Sequence, residues 1–371
     1  MIFLKFDRRI FSHFDWVLLV FVLAVCAMGI LNIYSTGFSA AGGQTSFYLK
    51  QLQWVVLGFI LMMAVFFLDY HVIVQYAYAI YGFILMLLVL VLVIGSSSHG
   101  AQRWLGAGAF AVQPSEFMKA VIIITLARYF DNHKSNESYS LKELLVPFMM
   151  VMTPFLLILK QPDLGTALML IVIFVSIIAF MGVNRKSLIF VVVSGLILAP
   201  GGWFLLKDYQ RERLITFLNP ERDPLGSGYH IIQSKIAIGS GEIFGKGFLS
   251  GSQTQLKFLP EQQTDFVFSV FAEEWGFIGS MFLIAVFMVI ILWGLKIALQ
   301  AKDSLGTIIA FGVTAFISWE VFINIGMVLG ILPVVGIPLP FFSYGGSAML
   351  TLMAAVGLLM NVSARRFILQ K

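Results

Sequence analysis

The chain has 371 residues, of which 59% are hydrophobic and only 12% are charged, and its mean hydropathy is +0.93. Soluble domains carry about twice this share of charged residues, so the composition excludes a soluble globular protein. It predicts an all-α polytopic membrane protein, because runs of about 20 apolar residues cross a bilayer as helices. The net charge of +5 is modest, and nothing in the sequence indicates a nucleic-acid partner.

Ten apolar runs follow one another along the chain, the first at residues 16–33. This run is too long for the core of a signal peptide, and further spans follow it, so we expect it to be the first transmembrane helix. The other expected spans cover residues 51–69, 73–95, 114–130, 144–160, 163–182, 187–206, 271–298, 305–330 and 344–364. We expect one membrane domain over residues 1–371 with one large extracytoplasmic loop at about 207–265.

The distribution of lysine and arginine predicts the orientation, because short cytoplasmic loops are enriched in these residues. One side of the membrane receives Lys5, Arg8, Arg9, Arg128, Lys134, Lys142, Arg185, Lys186, Lys296, Lys302, Arg365, Arg366 and Lys371. The short loops on the other side hold only Lys50, Arg103 and Lys160. We therefore expect both termini in the cytoplasm and the large loop outside.

Ionisable residues within apolar runs are costly in a bilayer and are therefore candidate functional residues. Glu116 and Lys119 follow Pro114 at the start of one expected span, and their spacing places both side chains on one helical face. They form either a structural ion pair or the lining of a polar cavity. Glu320 leaves the same choice open, and Asn324, four residues later, could hydrogen-bond it.

Further candidates lie in the loops on the extracytoplasmic side. Arg211 and Arg213 could neutralise phosphate through their planar guanidinium groups, or bind lipid headgroups. Glu261 and Asp265 are four residues apart and could share one helical face. They either mark the start of a surface helix or include a general base. Asp163 is explained equally well as a helix N-cap and as a catalytic group.

An uncharged segment rich in proline and glycine covers residues 330–347. It cannot form a regular helix, and at membrane depth it would have to be buried in protein or line a cavity. We therefore expect a re-entrant loop beside the polar site. The one cysteine, Cys26, lies in the first span and is expected to serve packing. No cluster of cysteine or histidine in the sequence indicates a transition metal.

Six motifs together resemble those of the SEDS family (shape, elongation, division and sporulation), in its rod-elongation branch. They are residues 228–241 (GYHIIQSKIAIGSG), 258–261 (FLPE), 264–266 (TDF), 113–116 (QPSE), 161–165 (QPDLG) and 340–346 (PFFSYGG). The resemblance covers nearly the whole chain, with the motifs in the family's order; Glu242 departs from it, where relatives often have glycine. It implies a peptidoglycan glycosyltransferase of the bacterial cytoplasmic (inner) membrane. Such an enzyme polymerises lipid II, an undecaprenyl-pyrophosphate disaccharide peptide, at the outer face during cell elongation.

The resemblance also implies roles for individual residues. The essential aspartate of the family's TDF motif falls on Asp265, which would be the general base of an inverting transfer. The candidates for neutralising the departing lipid pyrophosphate are Lys119, Arg103, Arg211 and Arg213. The full set of expected substrate-binding residues is Glu116, Lys119, Arg103, Arg211, Arg213, Asp163 and Glu261.

Partners and alternatives complete the sequence-based expectations. The sequence requires no cofactor, although a divalent cation (Mg²⁺ or Mn²⁺) could bind at the pyrophosphate. The family implies a class B penicillin-binding protein, a transpeptidase, as partner, with other membrane proteins of the elongation complex. A lipid II flippase is an alternative, since Glu116, Lys119 and the broken segment would suit a translocation path, and a scaffold of that complex is another. The large loop with Asp265 favours the enzyme.

Overall fold

The structure, a computed structural model, is helical almost throughout, which confirms the predicted architecture. It describes residues 13–37, 46–98, 101–106, 111–133, 139–184, 189, 193, 208–219, 227–256, 258–259 and 261–366. Within these residues, eight helices are long and apolar enough to cross a membrane. The predicted span at 187–206 lies outside the described residues, apart from positions 189 and 193.

The described helices follow the predicted spans closely. In chain order they are α1 (Trp16–Gly37), α2 (Phe47–Phe67), α3 (Tyr70–Gln75), α4 (Ala77–Ile94), α5 (Pro114–Asn132), α6 (Leu141–Lys160), α7 (Leu164–Met181), α8 (Asp208–Leu218), α9 (Ser227–Ser240), α10 (Ser252–Gln255), α11 (Val267–Leu299), α12 (Ser304–Val328) and α13 (Gly346–Arg365). A short antiparallel hairpin, β1 (Ser96–Ser98) and β2 (Ala101–Trp104), follows α4. Helix α5 is not among the eight apolar helices, because it carries Glu116 and Lys119 together with Arg128 and Asp131.

Helix α13 lies in the centre of the protein and packs along α2. A Cβ atom added at Gly357 would lie only 2.6 Å from the carbonyl oxygen of Met62, so glycine allows the two backbones to approach closely. At the end of the same contact, Asn361 Nδ2 donates to the carbonyl oxygens of Val65 and Phe66 at 2.8 and 3.0 Å. These bonds satisfy carbonyl groups in the last turn of α2, which have no partner within the helix.

Helix α11 is 33 residues long but is broken at Gly276, where φ is 64° and ψ is −161°. Residues 242–247 of the large loop lie against the break and pair with its backbone. The four hydrogen bonds that join them are Phe277 N to Glu242 O (2.9 Å), Ile278 N to Ile243 O (3.1 Å), Lys246 N to Glu273 O (3.0 Å) and Gly247 N to Glu274 O (3.0 Å). The loop thus supplies partners that the interrupted helix lacks, as a break in a membrane helix requires.

Two buried glutamates in α11 accept hydrogen bonds, one from the large loop and the other from the first helix. The carboxylate of Glu273 accepts hydrogen bonds from the Lys246 ammonium group at 2.7 Å and from the Gln253 amide at 3.1 Å. The neighbouring Glu274 accepts a hydrogen bond from the hydroxyl group of Ser35 in α1. These structural contacts therefore explain why two ionisable residues lie inside α11.

The large loop contains more regular structure than its glycine-rich sequence indicated. Helices α8, α9 and α10 lie within it, and α9 packs against α11 and α12. Ser234 fixes this contact, because its hydroxyl group bonds the Ser269 hydroxyl group at 2.9 Å and donates to the carbonyl oxygen of Val328 at 2.6 Å. The loop is thereby attached to the helices beneath the candidate site.

The segment between α12 and α13 is not helical, as predicted, and its second half, residues 337–343, is mostly buried in protein, whereas Ile331 in its first half is exposed. Ile337 and Phe342 have exposed fractions of 2% and 0%. Gln51 in α2 binds the end of the segment through its side-chain amide. It donates to the carbonyl oxygen of Ser343 at 3.0 Å and accepts from the backbone amide of Gly345 at 3.3 Å. Hydrogen bonds from Ser343 and Tyr344 place this end of the segment beside the turn that precedes α11.

Candidate active site around Asp265

Asp265 lies two residues before α11, in a turn whose backbone is held from outside. Three consecutive carbonyl groups of this turn accept hydrogen bonds from the C-terminal part of the chain. The bonds run from Tyr344 N to Gln263 O (2.9 Å), from Ser343 Oγ to Thr264 O (2.6 Å) and from Asn324 Nδ2 to Asp265 O (3.0 Å). The position of Asp265 is therefore set by α12 and by the buried segment, and not only by its own helix.

The carboxylate of Asp265 does not cap a helix, unlike other aspartates near helix starts. Asp15, Asp69, Asp163 and Asp303 each accept an N–H group from the first turn of the following helix, at distances between 2.7 and 3.3 Å. Those four side chains have a structural explanation. The N-cap of α11 is a phenylalanine without a side-chain cap, so the half-buried carboxylate of Asp265 is left for another role.

The surroundings of Asp265 make its carboxyl group a better base. Burial raises its pKa to about 6, and the neighbouring Glu261 carboxylate adds to the rise. Arg213, a hydrogen bond with Thr264 and the charge of Arg103 act in the opposite direction. The group is thus ionised at neutral pH yet holds a proton more strongly than an exposed aspartate, which suits general base catalysis.

Two of the predicted arginines act on this carboxylate through their charge, and both are held by hydrogen bonds to backbone carbonyl groups. Arg103 donates from Nε to the carbonyl oxygen of Gln161 at 3.2 Å and from Nη2 to that of Pro162. Arg213 donates from Nη1 to the carbonyl oxygen of Val334 at 3.2 Å. Because carbonyl groups are neutral, these contacts orient the guanidinium groups without cancelling their charge.

Asp163 belongs to the edge of the same region. Its carboxylate caps α7 through Thr166, as predicted, and also accepts a hydrogen bond from Gln113 Nε2 at 3.0 Å. Arg103 lies 3.9 Å from it. The cap explains Asp163, and its role in substrate binding stays a prediction.

Glu116 and Lys119 form an ion pair, which was one of the two alternatives, and they do so within a buried cluster of three charges. The Lys119 ammonium group lies 2.8 Å from Glu116 and 2.6 Å from Glu320. The exposed fraction of Lys119 is 1% and that of Glu320 is 0%. The cluster therefore ties α5 to α12, and a direct contact of Lys119 with pyrophosphate stays a prediction.

Two local predictions are wrong. Residues 261–266 form a turn, and α11 begins only at residue 267, so Glu261 and Asp265 do not share a helical face. Asn324 does not bond Glu320; its Nδ2 donates instead to Asp265 and Ile337. In both cases tertiary contacts override the spacing along one helix.

Arg211 lies on α8, two residues before Arg213, and is half-buried. Its predicted contact with phosphate is untested. The sequence reasoning did not identify Ser343 or Asn324 as supports of Asp265. A buried amide within an apolar span was the available signal for Asn324, because such a group must find partners in other segments.

Gly336 lies against the candidate base, and replacing it tests whether activity depends on the space beside the Asp265 carboxylate. Its φ is 75°, and an added Cβ atom would lie 3.4 Å from Asp265 Oδ2. Gly336→Ala therefore adds backbone strain of roughly 1–3 kcal/mol and a methyl group beside the carboxylate. We expect reduced catalytic activity in a protein that still folds, measured by turnover and by thermal unfolding.

Gly182→Ala is the matched control for this change. Gly182 has a φ of 83°, and an added Cβ atom meets none of the described residues within 4 Å. It carries the same kind of strain without a neighbour at the site. Equal loss of activity in both variants would show that strain, and not the contact with Asp265, is responsible.

Comparisons with known proteins agree with this architecture. A family model described as "Cell cycle protein" and named for FtsW, RodA and SpoVE matches residues 15–367. The peptidoglycan glycosyltransferase MrdB of Escherichia coli (strain K12) is 40% identical over 360 residues, covering 97% of this chain and 96% of that protein. The peptidoglycan glycosyltransferase RodA of Treponema pallidum (strain Nichols) is 36% identical over 429 residues, covering 96% and 98%.

A solved structure has the same fold. It is described as a peptidoglycan synthase complex that coordinates polymerisation and crosslinking, and one chain of it superposes with a TM-score of 0.81 at 30% identity. The match covers 95% of this chain and 98% of that one. With a family model that spans almost the whole sequence and relatives that match from end to end, this chain belongs to the FtsW/RodA/SpoVE family.

Proposed function

We propose that the protein is a peptidoglycan glycosyltransferase that polymerises lipid II into glycan strands. The observation that carries this proposal is the Asp265 carboxylate, which caps no helix, has a pKa of about 6 and is near two anchored arginines. The relatives named above bear the name of this activity. A membrane protein with a fixed base near fixed cations fits a reaction on a lipid-linked sugar pyrophosphate.

The reaction follows from these groups. A sugar hydroxyl of the acceptor attacks the anomeric carbon of the donor, and the bond from that carbon to the pyrophosphate oxygen breaks with inversion. The hydroxyl proton passes to Asp265, which is the general base. The departing pyrophosphate is already weakly basic, so it needs charge stabilisation, which Arg103 and Arg213 supply. Glu261, Arg211 and Asp163 remain candidate substrate contacts at the edge of the site.

A divalent cation at the pyrophosphate remains part of the proposal. Among the described residues, no group of three or more histidine, cysteine, aspartate or glutamate side chains is arranged so that it could hold a metal ion. Because Asp265 acts as the base, Glu261 could contribute one carboxylate, and phosphate oxygens and water would have to supply the remaining ligands of Mg²⁺ or Mn²⁺. Such an ion would neutralise phosphate charge.

The setting of the reaction is also proposed. The protein is a multi-pass membrane protein, and the lysine and arginine distribution supports cytoplasmic termini with Asp265 on the outer side. A class B penicillin-binding protein is the proposed partner, because the solved relative is part of a complex that combines polymerisation with crosslinking. Other membrane proteins of the elongation complex are proposed on family grounds.

The test uses purified protein, with and without a penicillin-binding partner, and fluorescent lipid II. Products are separated on a gel in the presence and absence of Mg²⁺ or Mn²⁺. A ladder of glycan strands supports the proposal. Well-folded protein that gives no ladder under any of these conditions contradicts it.

The pH dependence of polymerisation gives a second test. Asp265 must be deprotonated to act as a base, so we expect the rate to rise with pH, with a midpoint at about 6, and to level off roughly one pH unit above it. Because Glu261 raises the pKa of Asp265, Glu261→Gln should shift this rise to lower pH. The rates of wild type and of Glu261→Gln are measured from about pH 4.5 to about pH 8, a range that extends to both sides of the expected midpoint. An unchanged midpoint in Glu261→Gln would show that another group controls the profile.

A lipid II flippase is the second candidate function. The buried cluster of Glu116, Lys119 and Glu320 favours it, because charges inside a helical bundle often mark translocation paths. Movement of labelled lipid II across proteoliposomes, without formation of polymer, would support transport over transfer.

A further inference from the structure

Asn324 lies inside the apolar helix α12, but its side chain joins two other segments. Its Nδ2 donates to the carbonyl oxygen of Asp265 at 3.0 Å and to that of Ile337 at 2.8 Å. The side chain has an exposed fraction of 0%. One amide therefore bridges the turn before α11 and the buried segment between α12 and α13.

The side chain is not what packing alone would favour at this position. Its Oδ1 is buried and has no hydrogen-bond donor among the described residues. A buried polar atom without a partner costs about 1–3 kcal/mol, and an apolar residue of the same size would avoid that cost. The two donated bonds are thus the feature that distinguishes Asn324 from leucine here.

The same helix also contributes Glu320 to the charged cluster with Glu116 and Lys119 of α5. Glu320 lies one turn before Asn324 and accepts a hydrogen bond from Lys119 at 2.6 Å. Helix α12 is therefore tied to α5 at one turn and to the Asp265 turn at the next. A displacement of α12 would move both contacts together.

From these contacts we propose that Asn324 is a positioning residue, which holds Asp265 and residues 336–339 in the geometry that the transfer needs. The inference rests on the proposed glycosyltransferase function. Asn324 touches no reacting atom; it acts through the backbone of Asp265. Small displacements of a catalytic group are costly, with about 1 Å lowering a rate by as much as about a hundredfold.

Asn324→Ala and Asn361→Ala form a matched pair for the test. Both asparagines have exposed fractions of 0%, and both donate from Nδ2 to backbone carbonyl groups of other segments. Asn361 contacts the C-terminal end of α2, and Gln51 lies near the N-terminal end of that helix. The two ends are roughly 20 Å apart. We expect Asn324→Ala to lower kcat about tenfold to a hundredfold with little change in KM, and Asn361→Ala to affect thermal stability more than kcat.

Hydrogen exchange measured by mass spectrometry provides a readout that does not depend on activity. The amide group of Tyr344 donates to Gln263 O across the junction between residues 261–266 and 336–344, and the amide group of Leu339 donates to Ser343 Oγ within the second of these segments. We expect peptides covering 261–266 and 336–344 to exchange faster in Asn324→Ala than in wild type or Asn361→Ala. Asn324→Leu, which keeps the side-chain volume, replaces the alanine variant if that protein is poorly folded.

The outcomes separate the two proposals. Faster exchange at the junction together with a lower kcat supports the positioning role. Unchanged exchange, or a kcat equal to that of wild type, overturns it. If wild type makes no polymer, the proposed function fails, while the exchange measurement still decides whether Asn324 fixes the junction.

Discussion

Asp265→Asn is expected to lower the rate of lipid II polymerisation by about 10²- to 10⁴-fold, the usual contribution of a general base. Asparagine has nearly the same shape as aspartate but cannot take up the proton of the attacking hydroxyl group. Because the Asp265 carboxylate caps no helix and its turn is held through backbone carbonyl groups, the fold should not depend on the charge. Polymer formation is measured on gels, and folding by thermal unfolding in detergent.

Asp69→Asn is the control for this change. Asp69 also lies next to a helix start, but its carboxylate caps α3. It follows the C-terminal end of α2, whereas the Asp265 turn lies near the N-terminal end of that helix, about 25 Å away. We expect this variant to lose some stability and to keep its activity. Full polymerisation by Asp265→Asn would remove Asp265 as the base.

Lys119→Met should destabilise the protein by about 3–5 kcal/mol, because it leaves buried carboxylates without their cation. The Lys119 ammonium group lies between Glu116 and Glu320, at 2.8 and 2.6 Å. Removing it alone forces Glu320 either to hold a charge in the helical bundle or to take up a proton. The change is measured as a loss of thermal stability and of the folded fraction in detergent.

Lys246→Met is the matched control for this prediction. Lys246 pairs with Glu273 at 2.7 Å, but 29% of its side chain is exposed. Glu273 would keep its hydrogen bonds from Ser252 and Gln253. We expect a smaller loss, because water screens a partly exposed pair. Equal losses in both variants would contradict the view that burial makes the Lys119 cluster sensitive.

A charge-balanced variant distinguishes a structural from a functional cluster. It combines Lys119→Met with Glu116→Gln and Glu320→Gln, which removes all three charges at once. Buried charge networks can often be replaced by neutral groups without loss of stability. If stability and polymerisation both return, the cluster serves packing; if only stability returns, its charges act in the reaction or in substrate movement.

Much of the membrane architecture could be predicted from the sequence, since long apolar runs leave few alternatives to helices. Helix α5 was predictable although it is a charged span, because Pro114 marks its start and Glu116 and Lys119 share one face. The helices of the large loop were not predicted. The sequence around α9 and α10 is rich in glycine, and α9 is stabilised by contacts with α11 and α12 that no local pattern reveals.

The candidate site was predictable in part. The resemblance identified Asp265, and the arginine positions followed from the need for cations near pyrophosphate. Glu261 and Asp265 do not share the predicted helical face, because the turn before α11 bonds to the C-terminal segment and the helix begins only after it. Asn324 was assigned the wrong partner for the same reason: its neighbour along α12 competes with carbonyl groups that come from elsewhere in the chain.

The break in α11 also bears on the order in which the protein is made. Residues 242–247, which pair with the backbone around Gly276, precede it in the chain and are therefore synthesised first. When the second half of α11 leaves the ribosome, the segment that satisfies its interrupted backbone already exists. A chain carrying these residues after α11 instead of before it would have to insert the broken helix with unpaired amide and carbonyl groups, at a cost of several kcal/mol for each group left in lipid. Vectorial synthesis thus favours this connectivity during biogenesis.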